Sequence, residues 1–559
     1  MPTVRSIWSS PAGKRGVMSA KRLTPDPLRL AVFQNIFHSV AEEMGAALRR
    51  SAFSPNIKER RDYSCAVYDG NGEVLAMGDH MPVHLGSMPA SVAAARRALV
   101  FEPGDIALLN DPFAGGTHLP DLTLVMAVFR PGERKPRFFV ASRAHHADIG
   151  GALAGSMGPA HEIYQEGLRI PPVKIFRGGK PDRDLLHLLL ANVRTPAERE
   201  GDLAAQVACC RLGARRICEV IAKYGIRETE LYAGHLLEYS ERMMRAELRN
   251  LRPGRYRAVD FLDGDSLNAG TVRIQVAVRI QNGTATVDFS GSARQCAGNI
   301  NAVEAIAVSA TYYVFRSLLR EEVPATSGLL RAITVRVPSG TVVSANLPAA
   351  VAGGNVETSQ RMVDTLLSAL SQAAPARIPA ASQGTMNNLT FGGFDPRREN
   401  RPFTYYETIA GGCGASAVHD GPSAAHSHMT NSWNTPVEVL EETYPVRVRR
   451  YAIRRGSGGR GMHRGGDGIV RELEFLTAVE ASLLSDRRVT APYGLRGGQS
   501  GCKGRNALVH GQLRKVLEGK CSFEVMAGDI VRIDTPGGGG WGRASSKIRG
   551  RVRERKRSR

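Results

Sequence analysis

The sequence predicts a mixed α+β fold, with a helix-rich first half that carries metal-bearing hairpins and a β-rich second half. Up to about residue 250, apolar residues recur mainly every three or four positions, which is the period of an amphipathic helix. From about residue 375, short apolar runs alternate with glycine-rich turns, which is typical of strands. Two hairpin patterns interrupt the helical half, so both structure types share one region.

Helices are predicted from their end signals and their periodicity. Asp26 followed by Pro27 is typical of an N-cap and first helical residue, and the periodicity continues to about residue 50. The sequence Thr195-Pro-Ala-Glu198 predicts a capping box that opens a long helical region. That region is expected to break at Gly225 and to end near residue 250. Further helical patterns cover residues 303–319 and 360–373.

Three hairpins are predicted from apolar runs around turn residues. The first pairs residues 64–68 with 73–77 across an Asp-Gly-Asn-Gly turn, and the last pairs 271–280 with 284–289 across an Asn-Gly turn. The middle hairpin pairs residues 122–129 with 137–142 around the turn at 131–136. Its antiparallel register is expected to place Leu122 opposite His145 and Asp121 opposite His146.

The chain is expected to consist of one large unit with basic ends. We divide it into a disordered basic extension (1–25), a metal-site region (26–250), a β-rich second part of the same unit (251–542) and a basic tail (543–559). The net charge is +21, but the first 25 residues carry five basic residues and the last 17 carry nine basic residues and one acid. Because the body is only mildly basic, nucleic-acid binding is not expected. No apolar run is long enough to cross a membrane.

The strongest chemical signal is a pair of His/Asp motifs. His118-Leu-Pro-Asp121 is followed one hairpin later by His145-His146-Ala-Asp148. Imidazole and carboxylate groups that converge at one strand end are typical of a mononuclear metal site with an open position. The spacing predicts one divalent ion, zinc or manganese, and leaves open which of His145 and His146 binds it. A metal-dependent enzyme is therefore favoured over a passive binding module.

Other candidate residues lie near these motifs. Asp62 precedes the first hairpin, close in register to Asp79 and to the imidazoles of His80 and His84, which predicts a second polar pocket from a different hairpin. Glu162 and Glu166 follow a Gly-Gly pair, and either carboxylate is a candidate general base.

The motifs that are missing narrow the chemistry. The chain has neither a G-x-x-x-x-G-K-[ST] phosphate loop nor a G-x-S-x-G nucleophile elbow. If the reaction requires ATP, another chain is expected to bind it. The eight cysteines form no C-x-x-C motif and no secretory signal is visible, so reduced thiols and a cytoplasmic location are expected.

Four stretches of this sequence resemble the hydantoinase B/oxoprolinase family: residues 59–65 (ERRDYSC), 82–88 (PVHLGSM), 110–121 (NDPFAGGTHLPD) and 145–151 (HHADIGG). The resemblance continues through residues 288–291 (DFSG), 353–357 (GGNVE) and 454–468, and covers roughly residues 27–542. The family includes the B-type component of ATP-dependent N-methylhydantoinase, the C-terminal part of 5-oxoprolinase and subunits of acetone and acetophenone carboxylases.

The resemblance implies a division of labour between two subunits. A hydantoinase A-like partner would bind ATP and phosphorylate the carbonyl oxygen of a small cyclic amide, and this chain would complete the hydrolysis in a hetero-oligomer. The resemblance implies metal ligands at Asp62, His118, Asp121 and either His145 or His146. A bound divalent ion lowers the pKa of water to about 7, so that metal-bound hydroxide can open the activated ring.

Two alternative functions remain open. The first is a subunit of an acetone- or acetophenone-type carboxylase, in which the same metal would stabilise an enolate. The second is a non-catalytic assembly or nucleic-acid-binding protein that uses its basic tail. The hydrolase is preferred, because carboxylase subunits of this type tend to be longer.

Overall fold

The computed structural model describes residues 25–544 apart from positions 266 and 269, and it confirms the mixed α+β prediction. The predicted basic extension and tail lie almost entirely outside these residues. The helices of the described part are α1 (Pro27–Ser51), α2 (Pro55–Lys58), α3 (Ser87–Ala98), α4 (Ile163–Glu166), α5 (Arg183–Leu190), α6 (Pro196–Tyr224), α7 (Ile226–Asn250), α8 (Glu304–Ser317), α9 (Ser359–Leu370) and α10 (Val437–Thr443).

The first sheet carries the predicted hairpins of the metal region. It has seven strands in the order β2-β1-β5-β4-β3-β6-β7. These strands are β1 (Tyr63–Asp69), β2 (Val74–Met77), β3 (Ile106–Leu109), β4 (Asp121–Val128), β5 (Phe138–His145), β6 (Val173–Arg177) and β7 (Lys180–Pro181). Because β5 lies between β1 and β4, the two hairpins share one continuous sheet.

Three further sheets follow in the second half. The strands are β8 (Gly254–Leu262), β9 (Val272–Gln281), β10 (Thr284–Asp288), β11 (Ile333–Arg336), β12 (Asn388–Asp395), β13 (Arg401–Glu407), β14 (Val446–Arg454), β15 (Gly468–Phe475), β16 (Val479–Leu484), β17 (Arg505–His510), β18 (Leu513–Leu517), β19 (Lys520–Val525) and β20 (Ile530–Asp534). Their orders are β11-β10-β9-β8, β13-β12-β16-β19 and β14-β15-β20-β17-β18.

Long helices cover one side of the first sheet. α1 begins as predicted, since Asp26 caps it by accepting a hydrogen bond from the backbone of Leu28. Its apolar stripe packs against α6 and α7, and the ring of Phe33 stacks on Tyr232 with 4.9 Å between centroids. Gly225 separates α6 from α7 at φ 80°, which confirms the predicted break.

Two local predictions were wrong. The capping box at residues 195–198 does not form, because Thr195 makes no side-chain cap and Glu198 pairs with Arg199 instead. The middle hairpin is shifted by one residue, so that Asp121 faces His145 and not His146. A shift of one residue exchanges the two faces of a strand, and it therefore changes which imidazole can join Asp121.

The largest hydrophobic core crosses the predicted boundary near residue 250. It includes Phe37 of α1 and Leu124 of β4 together with Phe315 of α8 and Leu366 of α9. A smaller core lies between the sheets of residues 388–534. The proposed division of the chain stays a prediction. The shared core brings segments from residues 355–432 against the strand ends of the first sheet.

Candidate metal site

The end of the β4–β5 hairpin gathers two imidazoles around one carboxylate. His118 lies in the turn before β4, Asp121 begins β4, and His145 ends β5 directly opposite. His118 Nε2 lies 3.0 Å and His145 Nδ1 lies 3.4 Å from the same oxygen, Asp121 Oδ1. All three side chains are buried. The hairpin therefore brings two ring nitrogens and one carboxylate oxygen close together as candidate metal ligands.

Two residues of the second predicted pocket, Asp62 and His84, line the same cavity, whereas Asp79 and His80 lie outside it. β1 pairs with β5 along its whole length, and the backbone N–H of His145 donates to Asp62 O at 3.0 Å. Asp62 therefore lies beside His145, and His84 Nε2 lies 3.3 Å from Asp121 Oδ2. We call this space the inner cavity, and its polar lining includes Asp62, His84, His118, Asp121, His145 and Asn355.

The second half of the chain contributes residues that the sequence analysis did not single out. A π-helical turn, Gly354–Thr358, precedes α9 and places the Asn355 amide nitrogen 3.1 Å from His118 Nε2. Tyr406 of β13 stacks on the His145 ring with 4.4 Å between centroids. The sequence signal for Asn355 was the GGNVE motif of residues 353–357, which belongs to the family resemblance. The structure adds that this motif forms a π turn, a feature that occurs frequently at functional sites.

A chain of hydrogen bonds holds the Tyr406 ring in place. The Tyr406 hydroxyl donates to Asn388 Oδ1 at 2.8 Å, and the Asn388 amide donates to Glu357 Oε1 at 2.9 Å. Glu357 belongs to the same π turn as Asn355. Side chains of this one π turn therefore contact His118 directly, through Asn355, and support the ring beside His145, through Glu357, Asn388 and Tyr406.

Burial favours neutral rings at His145 and His84, beside an ionised carboxylate at Asp121. Burial alone would raise the pKa of Asp121, but the rings of His118, His145 and His84 hold it well below its usual range. Burial lowers the pKa values of His145 and His84, although Asp121 opposes this. Burial raises the pKa of Asp62, against the opposing effect of His145. A neutral imidazole and a carboxylate are the protonation states that bind a divalent ion.

The residues present fit one divalent ion. His118 Nε2 and His145 Nδ1 lie 3.0 and 3.4 Å from Asp121 Oδ1, and an ion at about 2.0–2.2 Å from each atom can bridge separations of this size. Asp62 lies outside this closest group but lines the same cavity. Asn355 Oδ1 is buried without a hydrogen-bond partner among the described residues, and a half-turn of the amide would direct it to the same point.

Three predicted site residues do not join this group. The His146 ring turns to the opposite face of the strand end, where its Nε2 lies 2.9 Å from Gln206 Oε1 of α6. Glu162 caps α4, and Glu166 accepts hydrogen bonds from the backbone of residues 351 and 352. Neither glutamate lines the inner cavity. Backbone groups occupy both carboxylates, and the general-base role of these glutamates stays a prediction.

Glu166 predicts a measurable pH dependence of stability. Burial raises the pKa of Glu166 to about 8, although two backbone N–H groups oppose the rise. The folded protein therefore holds this proton more tightly than the unfolded chain does, and stability falls as pH rises from about 4.5 to 8. We expect Glu166→Gln to lose this pH dependence of stability. The difference in stability between variant and wild type should therefore shift in favour of the variant as the pH is raised from 5 to 9.

Urea unfolding of both proteins at pH 5, 7 and 9 would measure the difference. Gln keeps one oxygen, which can accept from both backbone donors, so the fold is expected to survive. A constant difference between the two proteins across the pH range would contradict the prediction.

Tyr406 is expected to act on the metal through the His145 ring. Tyr406→Phe keeps the stacked ring but leaves buried Asn388 Oδ1 without its donor, so we expect a stability loss of about 1–2 kcal/mol and metal affinity within a few fold of wild type. Tyr406→Ala removes the ring and is expected to weaken metal binding by about 10–100-fold. Chelator competition would compare the two variants, and equal affinities in both would contradict the stacking role.

The inner cavity is small, with a volume of about 10 Å³. A larger apolar cavity of about 490 Å³ lies between α5 and α6, lined mainly by side chains such as Leu186, Leu190 and Leu203. No histidine lines this larger cavity, and the group formed by His118, Asp121 and His145 lies in the smaller one. In the part of the chain that the structure describes, we find no helix with the length and apolar character needed to span a membrane.

Comparisons of sequence give two informative relatives. The chain is 38% identical to 5-oxoprolinase 1 of Arabidopsis thaliana over 547 residues, which covers 92% of this chain but only 42% of that protein. It is 31% identical to a putative D-/L-hydantoinase B-type component of Pseudomonas sp. strain NS671, with 92% of this chain and 90% of that protein covered. The chain thus spans less than half of the oxoprolinase and nearly all of the hydantoinase component.

Comparisons with solved structures agree with the comparisons of sequence. The ATP-dependent caprolactamase from Pseudomonas jessenii superposes with a TM-score of 0.87 at 30% identity, covering 95% of this chain and 94% of that one. Nucleotide-free acetone carboxylase shares the fold, with a TM-score of 0.86 at 21% identity over 92% of this chain and 76% of that one. The Hydantoinase B/oxoprolinase family model matches residues 26–544. This chain therefore belongs to the Hydantoinase B/oxoprolinase family.

Proposed function

We propose that this chain is the B-type component of an ATP-dependent hydrolase that opens a small cyclic amide. The observation that carries the proposal is the buried group of His118, Asp121 and His145 in a member of this family. Relatives named for oxoprolinase and caprolactamase activity support an amide bond as the target. The absence of a phosphate-loop motif in the sequence supports ATP binding by a hydantoinase A-like partner in a hetero-oligomer.

The residues of the inner cavity have two proposed roles, metal binding and orientation of the substrate. His118, Asp121, His145 and Asp62 would hold the ion, zinc or manganese, which when bound supplies Lewis acidity and lowers the pKa of water. The hydroxyl-bearing residues Thr408, Thr430 and Ser432 line the same space and can orient an amide group by hydrogen bonds. Burial excludes bulk water and strengthens these contacts.

The proposal is tested by reconstitution with a hydantoinase A-type subunit. We expect consumption of 5-oxoproline, caprolactam or hydantoin that depends on ATP, on the partner and on a divalent ion, with phosphate release in step. His118→Ala should abolish turnover while the complex still assembles. The result that would contradict the proposal is ATP-dependent uptake of bicarbonate into acetone without ring opening, which would favour the carboxylase alternative suggested by the shared fold.

A further inference from the structure

A second polar pocket lies directly outside the inner cavity, behind a wall one residue thick. Asp62 lines the inner cavity, whereas its neighbours Arg61 and Tyr63 line the outer space. Likewise, Ser432 lines the inner cavity and its neighbour Trp433 lines the outer space. We call this space of about 230 Å³ the outer pocket, and its polar and aromatic lining includes Glu42, Arg49, Arg61, Asp79, His80 and Trp433. Its volume lies below the usual range for drug-sized ligands, which suits a small molecule.

Two arginines supply the positive side of the outer pocket. Arg49 stands near the end of α1, and the Arg61 guanidinium lies 3.5 Å from the centre of the Trp433 ring. In the described range, neither guanidinium forms an ion pair with a carboxylate. Arg61 has φ 56°, a left-handed conformation that is unfavourable for arginine and persists where the surroundings enforce it. Two unpaired guanidinium groups in one pocket are suited to a carboxylate.

Two carboxylates supply the negative side. Glu42 lies two turns before Arg49 on the same face of α1 and accepts a hydrogen bond from the Asp79 backbone at 2.8 Å. The side chains of Glu42 and Asp79 are 44% and 74% exposed, so both remain accessible to a ligand. His80 contributes a neutral ring whose Nε2 lies 3.9 Å from Glu42 Oε1, since burial lowers the pKa of His80 to about 4. The pocket therefore offers both signs of charge at once.

We propose that the outer pocket binds a small zwitterion, with its carboxylate on Arg49 and Arg61 and its ammonium group on Glu42 and Asp79. Hydrolysis of a lactam gives such a molecule: water adds a hydroxyl to the carbonyl carbon, the C–N bond breaks, and the nitrogen takes a proton. Opening of a hydantoin instead leaves that nitrogen in a neutral urea. The inference rests on the proposed function and narrows its substrate class to lactams.

Calorimetric titration of the full chain, without partner and without ATP, tests the pocket. The probes are L-glutamate, N-carbamoyl-L-glutamate, which has lost the ammonium charge, and butylamine, which has an ammonium group but neither carboxylate. We expect L-glutamate to bind at least 10-fold more tightly than either analogue and to shift the fluorescence of Trp433, a signal that Trp433→Phe should lose. Equal binding of L-glutamate and N-carbamoyl-L-glutamate, or no binding of L-glutamate, would overturn the inference.

Matched variants on α1 locate the contact. Glu42→Gln and Arg49→Gln should each weaken L-glutamate binding at least 10-fold, whereas Glu43→Gln and Arg50→Gln, which change exposed neighbours outside the pocket, should keep it. His145→Ala should also keep it, because the metal group is not part of the pocket. Failure of binding with intact ATP-dependent turnover rejects only the pocket. Intact binding without turnover rejects only the proposed function.

Discussion

His145→Ala is expected to lose the divalent ion, whereas His146→Ala is expected to keep it. The His145 ring faces Asp121 and His118, and its Nδ1 lies 3.4 Å from the shared carboxylate oxygen. The His146 ring faces α6 and contacts Gln206. Loss of a direct ligand should lower metal affinity by more than about 100-fold, beyond the range for residues that only support a ligand. His146→Ala should reduce stability, since it opens a buried space, but it leaves the ligand atoms in place.

Elemental analysis of purified protein and chelator competition would measure both variants beside wild type. About one ion per chain in wild type and His146→Ala, with none in His145→Ala, is the expected pattern. Retention of the ion by His145→Ala together with its loss from His146→Ala would mean that the hairpin adopts the register predicted from the sequence. Unchanged circular dichroism would show that His145→Ala still folds.

Arg361→Met is expected to destabilise the protein by about 3–5 kcal/mol, because it removes one of the buried cations that balance a cluster of buried carboxylates. Arg361 is fully buried on α9, and its guanidinium nitrogens lie 2.7 Å from Asp486 and 3.2 Å from Asp260. Burial alone would lower the pKa of Arg361, but the surrounding carboxylates, Asp364 among them, raise it. Methionine fills much of the same volume, so loss of charge and not of packing dominates the change.

Urea unfolding followed by far-UV circular dichroism would measure this loss. Arg336→Met is the matched control, because Arg336 is exposed on β11 and its replacement should change the free energy of unfolding by less than about 0.5 kcal/mol. A loss below about 1 kcal/mol for Arg361→Met would mean that Arg487 and Lys520, which also contact these carboxylates, suffice alone.

Local patterns predicted the secondary structure of the metal region well. Turn residues and alternation located the hairpins, and the Asp26 cap located the start of α1. The register of the β4–β5 hairpin was missed by one residue because the loop between its strands could close at more than one pairing. That single step decided between His145 and His146, which the sequence had left open.

Local sequence patterns could not predict the contacts between segments that are distant in the chain. The sequence placed Asp62 in a separate pocket, because nothing in its neighbourhood shows that β1 pairs with β5. Asn355 and Tyr406 reach the site from more than 200 residues away, through a π turn and a strand of another sheet. Local patterns also could not show that the Glu166 carboxylate accepts hydrogen bonds from the backbone of residues 351 and 352, far from it in the sequence.

The small volume of the inner cavity has a kinetic consequence. A space of about 10 Å³ holds roughly one water molecule and no five-membered ring. If the proposed function holds, this form of the inner cavity is closed to substrate, and we expect the thin wall formed by residues 61–63 and 430–433 to part before a ring reaches His145. Apparent affinity then equals intrinsic affinity multiplied by the fraction of open molecules. An A-type partner that favours the open form would raise substrate affinity without contacting the substrate.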